Sequence, residues 1–339
     1  MNFEFSEEQL SIQEQARTFL REECPLSRVR AVMEDDSVVM DVALWKQIAE
    51  LGWMGATIPE AYGGLELGPL ALCVLAQELG RSLAPVPFSS TVYLFAEAVM
   101  AAGSEEQKQA LLPKVAEGSL IGCLATVENY GDGSTRQSVV SSNGLSGSKM
   151  AVADAQSADY AVVQAADDQG NQNLYLVSLH QAGVVATSVT GMDLSRSVSN
   201  IAFENAECEL LGGSGQANTI LNKVNDAAAV YFAFEQLAGS EACMAMGMEY
   251  TKERYAFGRQ IASFQAIKHI FADMFVAIEL ARANSYYAAW ALSVNDDELP
   301  LAAATARVSA TDAYYYCSSE NIEAHGGMGF TWEFDCHLF

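Results

Sequence analysis

The feature that most constrains the fold is a pair of helical patterns separated by one glycine, in the segment Tyr250–Met274. Met246 and Phe257 precede Gly258 at helical intervals from Tyr250. Because glycine reaches backbone angles that other residues avoid, we expect one helix to end at Gly258 and a second to begin near Ser263. The second pattern repeats every three or four residues, which predicts an apolar helix face: Phe264, Ile267, Phe271, Met274 and Ile278.

The break between these two patterns carries hydrogen-bond donors. Arg254, Arg259 and Gln265 lie close to the glycine in sequence. Guanidinium and amide groups suit a diphosphate or an amide-rich ring as ligand. A helical hairpin with solvated charges explains the same pattern, and the pattern alone favours that simpler interpretation.

Charge and composition exclude several classes of function. The net charge of −25 argues against nucleic acid and against anionic membrane surfaces as partners, and an anionic substrate would need a local basic patch. No apolar run approaches the roughly 20 residues of a membrane span. Seven cysteines without a C-x-x-C pair predict a reducing, cytoplasmic location and argue against a zinc site.

The first third of the chain carries helix signals. Ser6 with Gln9 and Ser104 with Gln107 form capping-box patterns, each of which predicts a helix start. Pro69 suits the first turn of another helix, and the apolar run that follows predicts that this helix ends near residue 80. A further helix is expected around residues 42–51, with one apolar face: Leu44, Ile48 and Leu51.

The signal changes to β near residue 120 and back to helix after residue 215. Short runs rich in valine and aromatic residues, separated by polar turns, predict a compact β-domain: 161–163, 174–177, 184–185, 198 and 201–203. Alanine-rich periodic segments then run to about Asn295, pause at 296–300 and resume to about Glu323. Their strongly apolar character predicts a helical bundle that also buries a face against other subunits.

The glycine-broken segment resembles the signature of the acyl-CoA dehydrogenase family, Y-x-x-x-R-x-x-F-G-x-x-I-x-x-F-Q. The resemblance extends from FSEEQL at the start through ELGRSLAP to EAHGGMGF, and so covers nearly the whole chain. It implies a mainly α fold with a central β-domain in three parts: an N-terminal helical domain (1–120), a middle β-barrel or sandwich (121–215) and a C-terminal helical bundle (216–339). The signature residues in register are Tyr250, Arg254, Phe257, Gly258, Ile261, Phe264 and Gln265.

The resemblance also implies a reaction. Acyl-CoA dehydrogenases hold FAD between subunits and oxidise an acyl-CoA thioester at its α and β carbons, and an electron-transfer acceptor then reoxidises the flavin. A glutamate removes the α proton while the flavin takes the β hydride. A buried carboxylate is the stronger base, because burial raises its affinity for the proton.

One half of the family's flavin site comes from the C-terminal domain and reaches into the neighbouring subunit. The resemblance places cofactor contacts at Arg254, Phe257, Gln265, Gly326 and Gly327. Arg254 would contact the diphosphate, and the two glycines would allow close approach. The alternative is that Arg254 pairs with Glu253 on the surface and that the glycines merely turn the chain. The family often has glutamine at position 323, where this chain has a glutamate that would repel a diphosphate.

The other half cradles the flavin ring and departs from the family pattern. The usual T-E-P-x-A-G-S segment corresponds here to Thr126–Ser134, without the proline, and leaves Thr126 as a candidate contact. The usual K-x-W-I-T-N segment corresponds to Lys149–Asp154, with Ala151 at the aromatic position and Ala153 at the hydroxyl position. Because alanine can neither stack nor donate a hydrogen bond, this half is expected to be degraded.

No catalytic base is assigned. Most family members place it in a stretch that would follow Phe339. A minority place it on the preceding helix, where the matching residue is Ala228. Asp226 and Glu235 are out of helical phase with that position, and a solvated or capping role is expected for both. The remaining candidates are His269 and His325, for which a structural role is expected.

These features predict the partner chain of a heteromeric acyl-CoA dehydrogenase, which completes the FAD site of a catalytic paralogue. The segments ELGRSLAPVPF and HGGMGFTWE are similar in sequence to chains of the two-subunit enzymes that degrade steroid side chains. Two alternatives remain. One is a self-sufficient homotetramer whose glutamate lies beyond residue 339, and the other is a non-catalytic scaffold protein with the same fold.

Overall fold

The computed structural model describes residues 5–35, 37–128 and 137–339. The chain forms two compact units. We call Met1–Arg30, Gly68–Ala84 and Ala229–Phe339 the helical unit, and Ala31–Leu67 with Pro85–Ala228 the mixed unit. The helices are α1 Glu7–Glu23, α2 Leu26–Met33, α3 Val42–Glu50, α4 Pro69–Arg81, α5 Glu97–Ala102, α6 Glu105–Ala116, α7 Ala217–Glu253, α8 Gln265–Val294 and α9 Leu299–His325.

The helix starts follow the caps read from the sequence. The hydroxyls of Ser6 and Ser104 each accept a hydrogen bond from the backbone N–H of the glutamine three residues on, and each serine backbone N–H donates to the side-chain oxygen of that glutamine. Helix α4 begins at Pro69 as predicted. Helix α3 buries Leu44 and Ile48, but the prediction for Leu51 is wrong: it follows the helix and is 47% exposed.

The helical unit packs long helices around a buried charge. Glu78 in α4 is almost fully buried, and its carboxylate accepts hydrogen bonds from Arg17 of α1 at 2.8 and 3.1 Å and from Arg81 at 3.0 Å. A buried carboxylate needs such partners, because leaving it unpaired costs several kcal/mol. Close backbone contact adds to this packing, since a Cβ on Gly80 would lie 2.3 Å from the carbonyl oxygen of Glu235 in α7.

The mixed unit is built on one mixed sheet. Its strands run in the order β6-β7-β3-β2-β4-β5-β8, and β1 pairs with β4. The β1–β4 and β2–β4 pairs are parallel and the other pairs are antiparallel. The strands are β1 Gly122–Ala125, β2 Val139–Ser141, β3 Gly144–Ala153, β4 Tyr160–Asp167, β5 Gln172–Ser178, β6 Val184–Ser188, β7 Val198–Ala206 and β8 Glu209–Leu211.

The architecture is mainly helical with a central β region, which confirms the predicted fold class. The pause between α8 and α9 falls where the sequence indicated it. The two compact units group the residues differently from the three-domain division at 120 and 215, and that division stays a prediction. Within the described ranges, no helix combines the length and hydrophobicity that crossing a bilayer requires.

Candidate functional site

The glycine-broken segment contains a β-hairpin that the sequence analysis did not predict. Helix α7 ends at Glu253 rather than at Gly258, and strands β9 (Tyr255–Ala256) and β10 (Arg259–Gln260) pair before α8 begins. The turn between them has positive φ at both central residues, 51° at Phe257 and 79° at Gly258. That is the type I′ geometry that matches the twist of a two-residue hairpin.

The tip of this hairpin presents an aromatic ring to solvent. Phe257 is 97% exposed, and a bulky residue in the left-handed region is uncommon. Its ring meets that of Phe264 edge to face, with centroids 6.3 Å apart. The guanidinium of Arg259 lies 4.0 Å above the ring of Phe264. Two aromatic rings and one cation therefore fix the hairpin without burying its tip.

Arg254 and Gln265 flank the hairpin and are both exposed. Among the described residues no carboxylate forms an ion pair with the Arg254 guanidinium, so the predicted alternative of a pair with Glu253 is not formed in the structure. Gln265 is the first residue of α8, and Phe264 before it gives no side-chain cap. The first amides of α8 therefore lack a side-chain acceptor at the cap position.

Gly326 and Gly327 end helix α9 at an open surface. Gly326 has φ 60°, and a Cβ added at either glycine would meet no atom within 4 Å. Gly329 differs, because a Cβ there would lie 2.6 Å from the carbonyl oxygen of Ile322. Packing therefore explains Gly329, and the positive φ explains Gly326. Gly327 has neither constraint, as expected where a ligand comes close to the backbone.

A stack of two rings brings both motifs to one end of the helical unit. The ring of Tyr250, in the last turn of α7, stacks on that of His325 at the end of α9, with centroids 4.1 Å apart. Arg254 follows Tyr250 by one helical turn, and Gly326 follows His325 directly. We call this set of residues the donor end: Arg254, Phe257, Gln265, Gly326 and Gly327.

Both candidate histidines have structural surroundings. His325 is buried, and its Nδ1 lies 2.8 Å from the carbonyl oxygen of Asn321. His269 is exposed, and its Nε2 lies 3.3 Å from the Gln265 amide nitrogen one turn earlier. Neither contact includes a carboxylate that would orient the ring for proton transfer.

Acidic side chains cluster on the last two turns of α9 and on α8. Burial raises the pKa of Glu320, and the nearby carboxylates of Glu323 and Asp273 raise it further. Three carboxylates on this part of α8 and α9 oppose a diphosphate, as the sequence predicted for Glu323 alone. A ligand at the donor end therefore needs compensating cations.

In the mixed unit, Thr126 follows β1 beside a buried ion pair. The Lys149 side chain is 1% exposed, and its Nζ lies 2.8 Å from Glu128 Oε1 and 3.4 Å from the Thr126 carbonyl oxygen. Burial lowers the pKa of Lys149, although Glu128 opposes this. Sequence reasoning missed this pair, because no local spacing links two residues that lie 21 positions apart. The remainder of the altered T-E-P segment, 129–134, lies outside the described residues.

Strand β3 presents both substituted alanines. Ala151 and Ala153 are exposed, and the strand bulges between Lys149 and Val152. Ala151 has φ 51°, and its N–H donates to Asn200 Oδ1 at 3.0 Å. The positions at which the resemblance expects a stacking ring and a hydroxyl are therefore open surface without either group.

The acids near the alternative base position have different surroundings. Ala228 is buried in α7 and carries no acid. Burial raises the pKa of Asp226, and Glu235 interacts with the half-buried Arg307 guanidinium.

Comparison with known proteins gives consistent matches along the chain. The model of the acyl-CoA dehydrogenase N-terminal domain matches residues 6–119, and the model of the acyl-CoA dehydrogenase C-terminal domain matches residues 221–339. The chain is 34% identical over 336 residues to acyl-CoA dehydrogenase IpdE2 of Mycobacterium tuberculosis, a match that covers 98% of this chain and 90% of that protein.

Two solved two-chain assemblies are similar in structure. A variant of the Tcur3481–Tcur3483 steroid ACAD has a TM-score of 0.87 at 30% identity, over 98% of this chain and 90% of the matched one. The ChsE4–ChsE5 complex from Mycobacterium tuberculosis has a TM-score of 0.90 at 26% identity, over 100% of this chain and 92% of the matched one.

Proposed function

Since the chain belongs to the acyl-CoA dehydrogenase family, we propose that it is the partner subunit of a two-chain acyl-CoA dehydrogenase. In this proposal its donor end completes the FAD site of a catalytic paralogue. The family consists of oxidoreductases that act on CH–CH bonds of acyl-CoA and bind FAD, and bound FAD supplies the hydride acceptor. The base that removes the α proton would come from the paralogue.

The observation that carries the proposal is the exposure of the donor end. Arg254, Phe257 and Gln265 are solvent-exposed, and the Tyr250–His325 stack places Gly326 at the same end of the unit. An exposed ring in a left-handed turn costs stability, and its edge contact with Phe264 buries almost none of the ring. Such a feature is expected where another molecule covers it.

The donor end fits part of a dinucleotide. Arg254 has a guanidinium suited to two phosphate oxygens, and the open space at Gly326 and Gly327 admits a ligand against the backbone. Glu320 and Glu323 oppose the charge of a diphosphate. We therefore expect the paralogue to contribute further cations on its side of the same cofactor.

The ring-cradling half of this chain supports assignment of the chemistry to the paralogue. Ala151 and Ala153 are exposed and offer neither an aromatic face nor a hydroxyl. Thr126 keeps its hydroxyl as the remaining candidate contact of this half.

The substrate and acceptor are proposed by class. The substrate is an acyl-CoA thioester, and the similarity to a steroid ACAD favours a steroid side chain as the acyl group. The acceptor is an electron-transfer protein. A cytoplasmic location is part of the proposal and is supported by the seven cysteines, all of which are free thiols and six of which are buried.

The test is the visible absorption of purified protein. The chain expressed alone should be colourless, and the chain co-expressed with a family member that carries an intact T-E-P segment and glutamate should be yellow. Gly327→Ala should leave the stability of the chain unchanged, because its Cβ meets no atom within 4 Å, but should lower the flavin content of the pair. Lys46→Ala, a change at an exposed position of the mixed unit, is the control.

The possible outcomes distinguish the partner subunit, the self-sufficient enzyme and the scaffold protein. One flavin per chain without a partner would refute the partner-subunit proposal and favour the self-sufficient enzyme. A chain that stays colourless in every pairing would favour the scaffold protein. If the Gly327→Ala chain co-expressed with its partner keeps the full flavin content, the donor end is not part of the cofactor site.

A further inference from the structure

The segment that follows the donor-end glycines packs on Arg30 of helix α2. We call residues 331–339 the latch segment. The guanidinium of Arg30 lies 4.8 Å above the ring of Trp332. Its Nη2 donates to Asp335 Oδ1 at 2.6 Å and to the Phe334 carbonyl oxygen at 3.3 Å. One cation therefore holds three residues of the latch segment in place.

His337 of the latch segment has shielded ring nitrogens. Its ring packs against that of Trp332, with centroids 4.7 Å apart and planes 32° from parallel. Among the described residues neither its Nδ1 nor its Nε2 has a hydrogen-bond partner, although both atoms are buried from solvent. A neutral imidazole leaves one donor and one acceptor unsatisfied here, whereas a protonated one would bury a charge and two donors. The site therefore favours neutral His337.

The charges around His337 also oppose its protonation. Burial lowers the pKa of His337, and the Arg30 guanidinium lowers it further, against an opposing effect of Asp335. Because Asp335 is itself paired with Arg30, much of its negative charge is compensated. In the part of the chain that the structure describes, Arg30 and Asp335 are the charged groups that act on His337.

Helices α7 and α9 present neutral thiols to the latch segment. The buried thiol of Cys243 in α7 interacts with those of Cys317 in α9 and Cys336 in the latch segment. Burial raises the pKa of all three thiols, so all three stay uncharged below pH 7. They add no charge that would stabilise a protonated imidazole.

Phe334 connects the latch segment to the donor end. Its ring meets that of Tyr250 edge to face, with centroids 6.0 Å apart, and lies 5.8 Å from that of His325. Tyr250 and His325 are the titratable groups of α7 and α9 that pack against Phe334, and they stack on each other. Since His325 leads directly into Gly326, the position of Phe334 affects the backbone that would admit a ligand.

We propose that Phe334 is a positioning residue of the donor end and that His337 is the proton-sensitive latch that keeps it in place. While His337 is neutral, the latch segment stays on Arg30 and the three rings hold Gly326. Protonation of His337 releases the segment, because the imidazolium then finds its acceptors in water. Release is a property of the chain alone, and only its effect on flavin rests on the partner-subunit function.

Docking of the latch segment weakens as the pH falls. In the released segment His337 has the ordinary histidine pKa of about 6.5, and in the docked segment its pKa is lower. Docking therefore has its full strength above about pH 6.5. Below this value its equilibrium constant falls by up to about tenfold per pH unit, until the lowered pKa is reached.

The first test is hydrogen exchange of the chain alone, measured by mass spectrometry at pH 7.5 and 5.5. Protection factors corrected for intrinsic exchange should fall about fivefold or more at 326–330 and 331–339. His337→Phe keeps a ring against Trp332 and takes up no proton, so its protection should not change with pH. His337→Gln should be equally insensitive to pH, even if it docks less tightly. His180→Gln removes a histidine with a 69% exposed side chain and should keep the fall of the parent.

Replacement of Phe334 by leucine tests the positioning role. Phe334→Leu should lower the protection of 326–330 already at pH 7.5, because the Tyr250–His325 stack loses its edge contacts. Phe275→Leu, at an exposed position of α8, is the control and should leave this protection unchanged. In the co-expressed pair, the parent should lose flavin on gel filtration at pH 5.5 but not at pH 7.5, and the His337→Phe pair should keep it at both.

Three outcomes decide between these roles. An equal fall in protection for the parent and His337→Phe would overturn the latch, since another group such as His325 would then be responsible. Release of 331–339 at pH 5.5 without loss of protection at 326–330 would overturn the positioning role of Phe334. A pair that is colourless at every pH would refute the partner-subunit function, and the exchange measurements on the chain alone would still decide both roles.

Discussion

Replacement of Phe257 by glycine and by alanine tests the left-handed turn on which the donor end depends. Phe257 has φ 51° and is 97% exposed, so truncation removes little packing. In an ordinary helix or strand, glycine is less stable than alanine by about 0.5–1 kcal/mol. At this position we expect the reverse order, because the left-handed region costs an L-residue about 1–2 kcal/mol and costs glycine almost nothing.

The expected magnitude combines three contributions. For Phe257→Gly, relief of the backbone contributes about 1–2 kcal/mol, and the greater unfolded-state entropy of glycine reduces this by about 0.5–1 kcal/mol. Loss of the edge-to-face contact with Phe264, at 6.3 Å between centroids, reduces it by about 0.5 kcal/mol more. The free energy of unfolding should therefore stay within about 1 kcal/mol of the parent. Phe257→Ala keeps the backbone cost and loses the ring, so it should be the less stable variant.

Urea unfolding followed by circular dichroism measures this difference as a shift in midpoint. Phe275 provides the control, because it is an exposed aromatic residue inside α8. There, the glycine variant should be less stable than the alanine variant by about 1 kcal/mol. A Phe257→Ala protein as stable as Phe257→Gly would refute the reasoning, since the residue would not adopt the left-handed conformation. Both Phe257 variants should lower the flavin content of the co-expressed pair equally.

The remaining predictions concern packed contacts and their pH dependence. Glu128→Gln leaves the buried Lys149 ammonium without a carboxylate, and should lower the free energy of unfolding by about 2–3 kcal/mol, less than for a fully buried pair because Glu128 is 25% exposed. Burial raises the pKa of Glu128, but hydrogen bonds from Lys149 and the Ser138 backbone outweigh it and lower the pKa below its ordinary value. The stabilisation is therefore present above the ordinary pKa and is lost as the pH falls through the lowered value, so urea titrations from about pH 5 to 3 should show a smaller loss for Glu128→Gln than for the parent. An equal loss in both proteins would contradict the assignment. Gly80→Ala should lower the free energy of unfolding by about 3 kcal/mol, because its Cβ would lie 2.3 Å from a backbone oxygen. A urea midpoint equal to that of the parent would contradict this, since it would show that α4 and α7 can move apart at no cost.

Local signals predicted most helix starts but missed the hairpin. The caps at Ser6 and Ser104 are short-range chemistry, since each hydrogen bond joins residues three apart. The hairpin at 255–260 has strands of two residues, too short to show a period of two against the flanking helical pattern. Its turn also has a phenylalanine where asparagine or glycine is usual, so turn propensity did not indicate a hairpin here.

The sequence proposed residues for the candidate site but not their contacts. Motif register singled out Arg254, Phe257 and Gln265, all of which are exposed in the structure and lie in or beside the hairpin at 255–260. The Tyr250–His325 stack joins residues far apart in sequence, and no local pattern marks two rings that meet only after folding. The ion pair of Lys149 with Glu128 was missed for the same reason, because its burial follows from the pairing of strands around it.

The charges at the donor end indicate the kind of partner that it needs. Arg254 offers one guanidinium to a diphosphate, whereas Glu320 and Glu323 lie on the last two turns of α9, which lead to the glycines that would admit it. A second copy of this chain would bring the same acids and a net charge of −25 to the contact. A paralogue with basic residues on the matching surface would remove this repulsion, so charge favours the mixed assembly over the uniform one.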